Sequence, residues 1–330
     1  MTGSRPKRLL KQNTAIELRL IRIAEMEVRI DTASFIYQDR YKYFIQVESG
    51  HVPAFICDAD PPLIIDPGVS AFGPLYCRKL SPVVRGKIRP LLILLTHSHF
   101  DHCGAAPYLL RKFPHARIAA SARAAEVLQK ESAITLIRRF NAEYEEKMAP
   151  ELAGEDTSFS GISVDLRLKE GDRIEWSEEK FFQVFETPGH TRDCLSYFFP
   201  DSGMLVAGEA AGVPEEDFIH SPFLANYEDY IVSIEKLAAI NAEALCIAHA
   251  GILTGKAQIA RYLDASRDAA RAYRAKIECC LDRLSGDTER VVNAIVAEEY
   301  DAKQHHILHR DPFITNLQAK IRAVCKLSEK

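Results

Sequence analysis

Residues 96 to 104 read Thr-His-Ser-His-Phe-Asp-His-Cys-Gly, so His97, His99, Asp101 and His102 fall within six positions. Neutral imidazoles and carboxylates are the side chains that Zn²⁺, Fe²⁺ and Mn²⁺ accept as ligands. The run follows five consecutive aliphatics, Leu91 to Leu95, the mark of a strand covered on both faces. In extended backbone, residues i and i+2 point the same way, so His97 and His99 can reach one ion. The loop then turns and carries Asp101 and His102 toward a second position a few ångströms away. A polar loop of hydrogen-bonded histidines is the bland alternative. The density of ligands in so short a stretch argues against it.

Further ligands lie downstream. His190 stands in Thr187-Pro188-Gly189-His190-Thr191, where proline and glycine let the backbone turn sharply. Glu209 stands in Val206-Ala207-Gly208-Glu209-Ala210, and His249 in Ile247-Ala248-His249-Ala250-Gly251. Each follows a predicted strand, and strand ends are where sites are built in α/β sheets. Alone, each would read as structural; together they complete two coordination shells.

The elements that must position these residues are legible from periodicity. Short β-branched or alternating runs predict strands at 17–23, 27–30, 43–47, 54–57 and 63–65, the last closed by the turn Asp66-Pro67-Gly68. A mixed segment precedes the strand at 91–95. Helices are predicted from Tyr108, over 122–130 and over 132–148, with Pro150 and Gly154 ending the last, and a short strand at 118–120. Strands return at 163–168, 181–186, 195–199 and 204–207. Asn226 caps a helix, and 245–248 is another buried strand. Beyond Gly255 the chain reads as helix alone: one to about Leu284, a second over 288–300, and a third from Asp311 with Ile314, Leu317, Ile321 and Val324 as its apolar stripe. Strands then helices, twice over, fit an α/β sandwich with helices outside.

These segments, in this order, resemble the metallo-β-lactamase superfamily across residues 30 to 255. The resemblance implies an αββα sandwich spanning 1–255, with 1–15 flexible, and a C-terminal helical extension over 256–330 that covers the active-site entrance. It implies two divalent metal ions: zinc first, with iron or manganese as alternatives. His97, His99 and His190 would hold the first ion, and Asp101, His102 and His249 the second. Glu209 falls where the family has a bridging aspartate. With one methylene more, it could bridge, bind one ion only, or weaken the second site. Asp66 matches the family's supporting aspartate near the site. His102-Cys103-Gly104, Pro107-Tyr108-Leu109, Glu131-Ser132-Ala133 and Arg138-Arg139-Phe140-Asn141 are similar to the quinolone-signal response, aminobenzoylacetyl-CoA thioesterase type.

The implied chemistry is hydrolysis by a metal-bound hydroxide, since two cations lower the pKa of a shared water from about 15.7 toward ~7. Asp101 is expected to orient the hydroxide as well as ligate. There is no Gly-x-Ser-x-Gly and no Gly-rich phosphate loop. A small ester or thioester, acyl-CoA-like, is the expected substrate. A phosphodiester, a lactone, or a regulatory role that retains the metal site are the alternatives.

Bulk properties narrow the partners. The chain has 330 residues, 47% hydrophobic and 27% charged, with net charge −4, which predicts neither nucleic acid nor an anionic membrane as partner. Its basic first residues are not followed by an apolar leader, and its eight cysteines are scattered without a Cys-x-x-Cys pair. Both suit a cytoplasmic protein with reduced thiols, and a homodimer is a reasonable expectation. Cys103 reads as packing rather than nucleophile. His220 either lines the pocket or lies exposed. His305, His306 and His309 read as a solvated linker, or else His309 reaches over the site. His51 and His115 read as surface, and Trp176 as core or edge cover between strands.

Overall fold

The computed structural model describes residues 37–47, 54–177, 180–215, 218–302 and 310–328. The strands predicted at 17–23 and 27–30, the flexible start, His51 and the patch from His305 to His309 lie outside them.

Two seven-stranded sheets form the centre. β1 (Tyr37–Gln38) belongs to the second. The first runs, in spatial order, β2 (Arg40–Tyr41), β3 (Phe44–Val47), β4 (Ala54–Cys57), β5 (Leu63–Ile65), β6 (Leu92–Leu94), β7 (Arg117–Ser121) and β8 (Leu166–Leu168). From β5 to β8 the strands are parallel, so the chain leaves β5 and β6 at the same edge. The second sheet adds β9 (Arg173–Ser177), β10 (Lys180–Glu186), β11 (Leu195–Phe199) and β12 (Met204–Gly208). A separate hairpin follows, β13 (Val213–Glu215) and β14 (Phe218–His220), and then β15 (Ala244–Ile247) and β16 (Gly251–Thr254). Spatial order in the second sheet is β1-β16-β15-β12-β11-β10-β9, with β12 and β15 parallel.

Alternation along the strands builds three cores. Phe55, Cys57 and Leu94 from the first sheet meet Phe182, Tyr197, Met204, Val206 and Cys246 from the second in one buried layer. The intervening residues Ala54, Ile56 and Ile93 face outward. They are covered by α1 (Gly73–Val84), the turn α2 (Phe100–Cys103), α3 (Ala106–Lys112), α4 (Ala122–Val127) and α5 (Glu131–Lys147). α6 (Ala149–Leu152) follows α5. Leu205, Leu245 and Ile247 face the other way, against α7 (Tyr227–Ala238), α8 (Lys256–Arg283), α9 (Thr288–Glu299) and α10 (Arg310–Ser328). The arrangement is the expected αββα sandwich. The C-terminal helices share a hydrophobic core with the second sheet, since Val291, Ile295, Leu317 and Ile321 join that same cluster.

Several expectations need correction. The mixed segment after Gly68 contains α1, whose Pro74 occupies the first turn, where a missing N–H costs nothing. Pro150 does not stop α5; it opens the short α6 in the same way. Trp176 lies within β9, and is 2% exposed in the central layer. Beyond Gly212, β13 and β14 pair antiparallel, with Val213 opposite His220. His115 is exposed, as expected.

One buried polar group ties the helical layer to the loop after β5. Asn141 of α5 is fully buried; its Oδ1 accepts from the Ser70 N–H at 2.7 Å and its Nδ2 donates to the Ile137 carbonyl at 3.0 Å. Asn141→Ala would leave the buried Ser70 amide without a partner, so it is expected to destabilise the chain by about 1–3 kcal/mol in urea unfolding. A loss under about 0.5 kcal/mol, the range of an ordinary surface substitution, would mean that the loop readjusts.

Candidate metal centre

The site is assembled at strand ends from both sheets. Asp66 follows β5, and His97 and His99 follow β6; α2 carries Asp101 and His102. His190 follows β10, Glu209 follows β12, and His249 follows β15. Two glycines allow the close approaches. Gly189 has φ +129°, and a β-carbon there would fall 2.3 Å from Tyr230 Cα. Gly208 has φ +54°, and a β-carbon there would meet Thr96 Oγ1 at 3.0 Å.

Two donor sets result: His97, His99, His190 and Glu209 in one, and Asp101, His102 and His249 in the other, the ligand atoms of each within 4.8 Å of one another. In the first, His190 Nε2 lies 3.2 Å from His97 Nε2 and 3.0 Å from His99 Nδ1. Glu209 Oε2 lies 2.5 Å from His190 Nε2 and 3.2 Å from His97 Nε2. The same carboxylate reaches the second set, with Oε2 3.7 Å from His102 Nε2 and Oε1 3.6 Å from His249 Nε2. In that set, His249 Nε2 is 3.8 Å from Asp101 Oδ2.

The partners of the opposite ring nitrogens fix which face each imidazole presents. His190 Nδ1 faces the Pro222 carbonyl at 2.8 Å, an acceptor only, so Nδ1 carries the hydrogen. His102 Nδ1 donates to Asp66 Oδ2 at 2.9 Å. Thr96 Oγ1 donates to the same carboxylate at 2.6 Å, which leaves its lone pairs for His97 Nδ1–H at 3.0 Å. In the neutral form of all three rings, Nε2 would therefore present a lone pair to the centre. His102 Nε2 is buried and has no hydrogen-bond partner among the described residues. Ring nitrogens and carboxylate oxygens that converge, with the Nδ1–H groups of His97, His102 and His190 spent outward, form a donor set that fits a divalent cation.

Electrostatics agree. Burial, reinforced by His102 and the other rings, holds His97 well below the ordinary histidine pKa, and burial with His190 lowers His99 to about 4. Both are neutral near pH 7. Burial would raise the Glu209 carboxyl, but His190, His249 and His97 hold it well below the usual range. His102 differs: burial lowers it, yet Asp66, Asp101 and Glu209 together raise it to about 9. His249 is raised against burial by Glu209 and Asp101.

All seven candidate ligands come together, and Asp66 lies where the supporting aspartate was expected. His220 is half-buried at the end of β14. His309 lies outside the described residues. Cys103 is fully buried, and burial with Asp101 and Asp66 pushes its thiol well above the ordinary range; it has no thiolate to offer. Three contributors were not read from the sequence. Thr96 links Asp66 to His97, and Asp193 Oδ2 accepts from the Ser98 N–H at 2.9 Å, clamping the motif loop. Lys320 contacts His220, with Nζ 3.2 Å from Nε2. A lysine three residues past Leu317, on the predicted apolar stripe of α10, was the available signal.

A two-sheet sandwich with imidazoles and carboxylates converging at its strand ends defines a class of metal-dependent hydrolase. Residues 50–249 match the profile of the metallo-beta-lactamase superfamily, and the chain belongs to that superfamily. It is 28% identical over 236 residues to the probable metallo-hydrolase YflN of Bacillus subtilis (strain 168), covering 65% of this chain and 81% of that protein. It is 27% identical over 179 residues to the acyl-coenzyme A thioesterase MBLAC2 of Gallus gallus, covering 53% of this chain and 62% of the relative. A metallo-beta-lactamase family protein from Thermus thermophilus shares the fold with a TM-score of 0.57 at 16% identity, over 88% of this chain and 93% of that one. Among the described residues, no helix is long and apolar enough to cross a membrane.

The raised His102 has a measurable consequence. In the metal-free chain His102 keeps its proton below about pH 9, and a cation must displace it. Apparent zinc affinity is therefore expected to rise with pH up to about 9, with proton release visible by calorimetry in buffers of different ionisation enthalpy. Asp66→Asn removes the nearest carboxylate and should reduce the protons released. Zinc uptake without proton release at pH 7.5 would contradict this account.

Proposed function

We propose that the chain hydrolyses a small thioester or ester, acyl-CoA-like, by attack of water activated between the two donor sets. The observation that carries this reading is the convergence of Nε2 of His97, His190, His102 and His249 on the two oxygens of Glu209, which stands between the two donor sets. His97, His99 and His190 with Glu209 would hold one divalent cation, and Asp101, His102 and His249 a second. Zinc suits these ligands, and iron or manganese do so too. Cations held there would supply Lewis-acid polarisation of the carbonyl and lower the pKa of water.

The chain's own residues do the rest. Asp101 sits in the first turn of α2 at the rim of the centre, and there it orients the attacking water and takes up its proton. Asp66 and Thr96 hold His102 and His97 in register. Water adds to the carbonyl, the acyl–sulfur or acyl–oxygen bond breaks, and the leaving thiol or alcohol takes a proton. The similarity to an acyl-coenzyme A thioesterase supports the thioester form, as does the local motif similarity at 102–109 and 131–141. A cytoplasmic setting and a homodimer remain part of the proposal.

The metal-loaded chain should turn over short acyl thioesters faster than lactones or phosphodiesters. His97→Ala should lose bound metal and lower turnover by a factor of about 10³ or more, the scale of removing a central catalytic group. Metal analysis and a spectrophotometric substrate panel check both. A chain that holds under about 0.2 metal equivalents after adding zinc, manganese and iron in turn, or whose turnover survives His97→Ala, would overturn the assignment. A lactone or phosphodiester preference would keep the metal centre and replace the substrate class.

A further inference from the structure

The C-terminal helices bury two lysines, and among the described residues only one of them makes a direct ion pair. Lys276 of α8 places Nζ 2.9 Å from Glu298 Oε1 and 2.8 Å from Glu299 Oε1. Lys320 of α10 is only 2% exposed and pairs with no carboxylate among the described residues. Its Nζ lies 3.2 Å from His220 Nε2, 4.3 Å from the centre of the Tyr273 ring and 6.0 Å from that of Phe223. A buried ammonium with no carboxylate in direct contact is costly, and ring faces offset only part of that cost.

The position of this cation is informative. His220 is followed directly by Ser221, whose hydroxyl is buried without a hydrogen-bond partner among the described residues, and by Pro222, whose carbonyl fixes His190. Glu299 first, then Glu215 and Glu209, raise Lys320 against its burial without touching it. Burial lowers Lys320 to about 8, so it remains largely charged at neutral pH. Burial and Lys320 together keep His220 well below its ordinary range, hence neutral and able to accept from the ammonium. A lone point charge between aromatic faces suits one carboxylate; a phosphate dianion would call for more donors.

We propose that Lys320 is a specificity-determining cation that receives a carboxylate on the acyl portion of the substrate, so that the preferred substrates are half-thioesters or half-esters of dicarboxylic acids. The inference rests on the hydrolase reading for its substrate class. Anion recognition by Lys320 can be measured without turnover.

The experiment uses the full-length, zinc-loaded chain and a series of malonyl, succinyl and glutaryl thioesters, each beside its terminal-amide counterpart. In the wild type, at least one acid should exceed its amide in kcat/KM by about tenfold or more, the scale of a charge-assisted hydrogen bond. Lys320→Met should collapse that ratio toward one, and Lys320→Arg should retain part of it. Amides matching acids across the wild-type series, or a preference that survives Lys320→Met, would overturn the proposal. Calorimetric titration with free glutarate and glutaramide, before and after chelating the zinc, supplies the second readout. Glutarate binding that persists without zinc and weakens about tenfold in Lys320→Met supports the proposal even if no thioester is hydrolysed. Glutarate binding that vanishes on chelation, or is equal in Lys320→Met, assigns the carboxylate to the zinc and overturns it. Should both variants fail to fold, the wild-type acid-to-amide ratio and the chelated titration decide.

Discussion

The carboxylate of Asp66 is the constraint on which the centre depends. It is buried at the carboxyl end of β5, and its Oδ1 accepts from the Thr96 N–H at 2.7 Å. Its Oδ2 accepts from Thr96 Oγ1 and from His102 Nδ1. One side chain therefore sets the ring orientation of His102 directly and that of His97 through the threonine. These two histidines belong to different donor sets, so the spacing between the sets is written into a single carboxylate. Backbone strain marks the same place: Asp66 and His249 have φ of +50° and +62°, in the left-handed region that side chains other than glycine seldom adopt. Such strain persists only where surrounding contacts over-determine it.

Those contacts come from the sandwich itself. The motif loop extends β6 and is bound to the opposite sheet just beside His97: Leu195 N–H donates to the Thr96 carbonyl at 2.8 Å, and the Tyr197 hydroxyl to the Leu95 carbonyl at 2.5 Å. Asp193 holds the next residue, Ser98. The first sheet supplies Asp66, His97, His99, Asp101 and His102, and the second supplies His190, Glu209 and His249. The packed layer between them, where Leu94 meets Tyr197 and Val206, therefore serves as the ruler for the site. Close-packed interiors resist sliding, so ligand geometry is inherited from core packing rather than set by the loops alone.

The ligands were legible because each stands at a strand end flagged by local chemistry: aliphatics before His97, Pro-Gly before His190, and glycine before Glu209. Strands β4, β5 and β11 and the Asn226-capped helix were legible for the same reason, since their signals lie within a few residues. Thr96 and Asp193 were not, because their roles are pairings across the fold; Asp193 and Ser98 are 95 residues apart. The helix α1 was hidden by Gly73, Pro74 and Pro82, which read as breakers until the first-turn position of Pro74 is known. Lys320 was visible as a charge on an apolar stripe, but only the structure shows that no carboxylate among the described residues answers it.

The extra methylene of Glu209 is the departure whose consequence the geometry clarifies. Gly208 takes a left-handed turn and the chain enters a short 3₁₀ turn at Glu209–Ala211, so the longer side chain runs inward from a buried backbone. Its Oε2 then sits among His97 and His190 while Oε1 turns toward His249. The first set thereby offers three imidazoles and a carboxylate oxygen, which would hold one divalent cation. The second set, Asp101, His102 and His249, has three donors of its own.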